Sequence, residues 1–149
     1  MKHLNTVLVA LTVCAGLFFG LNFLVLGAGA AAGFGIEPWP TGNAAGYYTV
    51  KGVRDIAYGL TALVLLVQGQ RRALAWVLLV DAVIPAGDMI AVMTHGGTVG
   101  QALAVHGTAV VLVLIASALL FLEQRGVTRD GARDGDRDTD RGAPVPAAR

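Results

Sequence analysis

The sequence predicts an all-α protein: a four-helix transmembrane bundle over residues 1–122, followed by a disordered, charged tail over 123–149. Three observations predict it. The chain is 55% hydrophobic and only 14% charged. Its apolar residues gather into four long segments, the mark of a helical membrane protein. The basic residues outside those segments all fall on one side of a four-span threading. At 149 residues, one domain is the default. A net charge of +1 gives no electrostatic case for nucleic acid. The single cysteine, Cys14, excludes an internal disulfide framework and a Cys-rich metal site.

The first helix is expected over 5–27. Lys2 and His3 precede it and Ala28-Gly29-Ala30 follows it, an arrangement that resembles a secretory signal. The apolar stretch Val7 to Leu26 exceeds a signal core, so the reading is an uncleaved helix. Gly16 and Gly20 form a G-x-x-x-G pair, which permits close approach of a neighbouring helix or of a second subunit in a homo-oligomer. A Gly/Ala-rich connection follows, in which Pro38 and Pro40 flank Trp39 and oppose a regular helix. Trp39, Tyr47 and Tyr48 suit an interfacial aromatic belt.

The second helix is expected over 47–68. Its largely apolar part, Ile56 to Val67, is too short to cross a bilayer, so a crossing has to include Lys51, Arg54 and Asp55. The short turn Gly69-Gln70-Arg71-Arg72 makes the second and third helices antiparallel neighbours. The third helix is expected over 73–94, with Pro85 kinking it and freeing the carbonyl of Asp81. The fourth is expected over 100–122 and holds one ionisable residue, His106. Lys2, Arg71, Arg72, Arg125 and Arg129 then share one side, which the positive-inside rule makes cytoplasmic together with both termini. In the tail, six arginines balance six acids; its glycines oppose a helix, and the composition reads as solvated disorder.

The chemistry concentrates in the second, third and fourth helices. Helical spacing puts Lys51, Arg54, Asp55 and Tyr58 on one face, and Asp81, Pro85 and Asp88 on another. At about 1.5 Å per residue, Arg54 lies about 10 Å from the outer end, Asp88 and His106 about 9 Å, and Asn22 about 7 Å. Asp81 lies about 20 Å in, near Tyr58 or Ser117. A charge at the bilayer centre costs roughly 2.5–3.5 kcal/mol, so mutual pairing is expected: Arg54 with Asp88, Lys51 with Asp55.

Three larger readings follow. One is a polar layer that binds or passes a small molecule or proton through Asn22, Lys51, Arg54, Asp55, Tyr58, Asp81, Asp88 and His106. The other is a structural or accessory subunit whose charges only hold the bundle. A third is a membrane enzyme acting on a lipophilic substrate, in which Asp88 orients His106 as an acid/base pair. No nucleophile motif accompanies that pair, and no paired His or Cys spacing marks a metal site. No cofactor is named by any motif.

Lys51-Gly52-Val53-Arg54-Asp55-Ile56 with Gly59-Leu60, Gly69-Gln70-Arg71-Arg72-Ala73, Asp81 with Asp88, and His106-Gly107 together resemble the family catalogued as domain of unknown function 4267. The resemblance runs from about Leu4 to Leu122. It implies a small integral membrane protein of four helices and brings no established activity.

Overall fold

A computed structural model describes residues 2–141, with side chains described through residue 124. Every regular element among the described residues is helical. The order is α1 (Lys2–Leu26), α2 (Ala28–Ala32), a short 3-10 turn (Gly42–Ala45), α3 (Gly46–Val67), α4 (Arg71–Asp81), α5 (Val83–Thr94), α6 (Val99–Gln101), a π-helical segment (Ala102–Gly107) and α7 (Thr108–Arg141).

Helix α1 buries a stripe of mostly small or polar residues: Asn5, Val9, Thr12, Val13, Gly16, Gly20 and Phe23. Its large apolar side chains, among them Leu4, Leu11, Phe18, Leu21 and Val25, point outward. This is the reverse of a soluble amphipathic helix and suits a helix with a lipid-facing exterior and small residues at its contacts. The buried stripe of α3 answers it: Gly52, Asp55, Gly59 and Ala62. A methyl placed on Gly20 would meet the Gly52 carbonyl oxygen at 2.7 Å, and one on Gly52 would meet the Gly20 carbonyl oxygen at 2.9 Å. The backbones of α1 and α3 therefore touch here, where any side chain would hold them apart. The G-x-x-x-G pair thus seats α1 against a neighbouring helix of the same chain.

Helix α3 ends in a glycine-capped turn. Gly69 has φ 70°, the left-handed conformation, while its N–H bonds the Leu66 carbonyl at 3.1 Å and the Gln70 N–H bonds the Leu65 carbonyl at 2.9 Å. This Schellman arrangement satisfies two terminal carbonyls and reverses the chain at once. The expected single third helix is divided into α4 and α5 at Ala82. Pro85 has no N–H to return to Asp81, so the helical ladder breaks one turn before the proline, as the kink argument requires.

The hydrophobic core lies where α1, α3, α4 and α7 meet. Val9, Ala62, Leu74, Leu78 and Leu120 are fully buried there, and Ser117 donates to the Ala75 carbonyl at 2.8 Å. Below the core is a polar clasp. Asn5 Nδ2 donates to Glu123 Oε2 at 2.7 Å, and Arg71 reaches both Glu123 Oε2, at 3.3 Å, and Thr6 Oγ1, at 2.9 Å. Glu123 is only 7% exposed. It therefore belongs to the bundle, although composition assigns it to the tail. Helical backbone continues past Leu122 to Arg141. The rest of the expected tail has no described side chains, and 142–149 lie outside the described residues.

Three stretches are long and apolar enough to cross a membrane: Lys2–Leu26, Arg71–Thr94 and Val99–Gln124. Helix α3 has 22 residues, but its charged turn at Lys51 to Asp55 sets it apart from those three.

Candidate functional site

The site begins with the register of α3. Lys51 and Asp55 are one turn apart, and Lys51 Nζ meets Asp55 Oδ2 at 2.8 Å. Arg54 folds back so that its Nε donates to Asp55 Oδ1 at 3.1 Å. Asp88, on α5, meets both cations of this turn. Arg54 Nη2 donates to Asp88 Oδ2 at 2.9 Å, and Lys51 Nζ reaches the same oxygen at 3.2 Å. Both expected pairs form, and two cross pairs join them. The result is a closed ring of two cations and two carboxylates in which each group touches both opposite charges. Its side chains are unevenly covered: Asp55 is 11% exposed, Asp88 14%, Lys51 19% and Arg54 38%.

Two phenylalanines complete the surroundings of Lys51. Its ammonium lies 5.0 Å from the ring centre of Phe23 and 5.0 Å from that of Phe34. Such contacts recover part of the hydration the cation loses. Phe34 belongs to the connection after α2 and is held there by His106. The imidazole Nε2 lies 3.0 Å from the Phe34 carbonyl oxygen, and the two rings stand edge to face at 4.7 Å. A carbonyl oxygen only accepts, so Nε2 carries the proton. The π-helical segment supplies this placement, since His106 sits near its end and is buried.

The expected Asp88–His106 acid/base pair does not form. Asp88 is engaged by Arg54 and Lys51, and His106 is engaged by Phe34. Asn22 is also absent from the ring. It is neighbour to Phe23 in sequence, but one residue on a helix is a turn of about 100°, and Phe23 is the one on the buried glycine face. Asp81 has no hydrogen bond or ion pair among the described residues and lies outside the ring. The Tyr58 side chain borders the site, and its hydroxyl is buried with no hydrogen-bond partner among the described residues. Ser117, the other group expected near Asp81, bonds Ala75.

Sequence reasoning missed Phe23 and Phe34. The signal for Phe23 was present, because it lies three residues after Gly20 on the same helical face. No periodicity marks Phe34, which sits in an irregular segment.

Two cavities flank the ring. The inner one, of about 180 Å³, is bordered by Phe19, Phe34, Tyr58, Pro85 and His106. The outer one, of about 320 Å³, is bordered by Ile36, Pro40, Tyr47, Tyr48 and Arg54. Phe23, Phe34, Lys51 and Asp88 line both and form the wall between them.

If His106 anchors this wall, its loss has a local consequence. His106→Leu removes the donor to the Phe34 carbonyl, a change of about 1–3 kcal/mol when an acceptor is left unpaired. Backbone amides of 33–36 are expected to exchange with deuterium faster in that variant. His106→Gln, which keeps an N–H donor, is expected to fall between it and the wild type. Equal exchange in all three proteins would mean that the connection is held by other contacts.

Fold and site together define a class: an all-helical protein with segments of membrane-crossing length and a paired charge ring set between two cavities. The chain belongs to the family described as Domain of unknown function (DUF4267), which matches residues 13–120. The matched region contains the whole ring, both phenylalanines and His106. No curated protein and no solved structure matches the chain.

Proposed function

We propose that the chain is a four-span membrane protein, both termini cytoplasmic, whose charge ring borders a small-molecule site toward the outer side. One observation carries the site: Lys51 and Asp88 each line two cavities. Charges that served packing alone would be closed over by side chains, as the core residues around Leu74 and Leu78 are. The same geometry supports a crossing by α3. Its Lys51, Arg54 and Asp55 face each other and Asp88, so the helix presents lipid mainly with residues such as Val50, Val53, Leu60 and Val64. Arg71 and Arg72 at the turn after α3 support the orientation.

A structural reading has its own support, since each of the four charged groups is paired. The two separate by access. In a Cys14→Ala background, Ala109→Cys on the inner cavity is expected to react with a small neutral thiol reagent, and Ala62→Cys in the closed core is not. Equal protection at both positions would retire the site. In the same background, Gln70→Cys is expected to label with an impermeant maleimide only from the cytoplasmic side, and Asn43→Cys only from the other. The reverse pattern would overturn the orientation.

A further inference from the structure

The ring determines what kind of molecule the inner cavity takes. All four carboxylate oxygens are engaged. Asp55 accepts from Arg54 on Oδ1 and from Lys51 on Oδ2. Asp88 accepts from Arg54 on both oxygens and from Lys51 on Oδ2. The formal charges of Lys51, Arg54, Asp55 and Asp88 cancel. An anion entering the cavity would have to draw Lys51 or Arg54 from a carboxylate that already holds it. A cation would have to compete with both for Asp55 or Asp88. His106 has its Nε2 proton committed to Phe34. A charged ligand therefore finds no uncommitted counter-charge to offset the hydration it loses, which is a net cost. A neutral ligand meets no such cost.

Size and lining narrow the class. Apolar cavities of about 150 Å³ hold benzene, and this one has about 180 Å³. Its wall is aromatic on one side, with Phe19, Phe23, Phe34 and Tyr58, and aliphatic on the other, with Ile84 and Pro85. Phe23 and Phe34 stand edge to face at 6.2 Å in the cavity wall, an arrangement that an aromatic ligand would extend. We propose that the inner cavity binds a neutral aromatic molecule the size of one substituted ring. This rests on the cavity being a small-molecule site.

The test uses the full chain in lipid nanodiscs and three fluorinated probes of one shape: 4-fluorotoluene, 4-fluorobenzoate and 4-fluorobenzylammonium. Fluorine NMR line broadening is compared between the wild type and Ala109→Phe, which fills the cavity and cancels partition into lipid. Ala30→Phe fills it from a different element and replaces Ala109→Phe if that variant does not fold. The expected result is binding of 4-fluorotoluene that weakens at least about tenfold on filling, a loss of about 1.4 kcal/mol, with no difference for either ion. An ion that binds in preference, and is lost on filling, overturns the neutral class and leaves the small-molecule site standing. No filling-dependent signal for any probe overturns the proposal, and the reactivity of Ala109→Cys then decides whether the site itself survives.

Discussion

Asp88→Ala is expected to destabilise the protein by about 3 kcal/mol, the loss typical of removing one partner from a buried ion pair. The low end of that range applies because Asp88 keeps 14% of its side chain exposed. The variant leaves Lys51 and Arg54 sharing Asp55 alone. Unfolding by SDS in mixed micelles measures the loss. Removing one charge of each sign, with Arg54→Met and Asp88→Leu together, is expected to recover most of it. That double variant keeps the 2.8 Å Lys51–Asp55 pair and leaves no unmatched charge. Exchanging the two, Arg54→Asp with Asp88→Arg, is expected to fail. It would put an acid beside Asp55 and a cation beside Lys51. A full rescue by the exchange would mean that Arg54 and Asp88 act as an isolated pair and that the ring is not a unit.

Gly20→Leu is expected to be severely damaging. Even the first carbon of a side chain at Gly20 would come within 2.6 Å of Ile56 Cγ1 and 2.7 Å of the Gly52 carbonyl oxygen. The backbone carbonyl cannot rotate away within a helix, so α1 has to move. Gly20→Ala is expected to cost about 2 kcal/mol, within the usual range for overpacking. Gly20→Leu is expected to prevent α1 from docking on α3, with loss of the folded bundle in the same SDS titration. Gly46→Ala is the control, since a methyl there meets nothing within 4 Å. Equal tolerance at Gly20 and Gly46 would contradict the close approach of these two helices.

How much of this was legible in the sequence depends on which physical rule each feature obeys. Apolar run length pointed to helices able to cross a membrane, and three such stretches are present among the described residues; α3, the other expected span, is helical but carries the charged turn. Pro85 announced the break at Ala82, and Gly69 announced the turn. The pairing of Lys51 with Asp55 and Arg54 with Asp88 followed from charge balance at matched depth. Depth alone does not give rotation, however. Asn22 has the right height and the wrong azimuth, and Phe23 takes its place beside Lys51. The His106–Phe34 contact joins residues 72 apart through a segment with no period, so no helical rule reaches it. Glu123 was hidden by its neighbours, since a tail rich in charge makes each acid in it look solvated. The cross pairs of the ring were missed for a related reason. Spacing supplies the members of a cluster, and only the tertiary placement of α5 beside α3 decides that all four converge.

The clasp at Asn5, Arg71 and Glu123 bears on how the chain is made. Asn5 leaves the ribosome 118 residues before its partner Glu123. Throughout synthesis, α1 carries a polar amide whose acceptor does not yet exist. The last helix closes that gap, and it does so at the end from which the tail departs. A chain truncated before Glu123 keeps every helix contact of α1 with α3 but lacks the carboxylate that ties Asn5 and Arg71 together. The clasp thus closes only once Glu123 has been synthesised, which makes the joining of α1, α4 and α7 at this end a late step relative to the packing of α1 on α3.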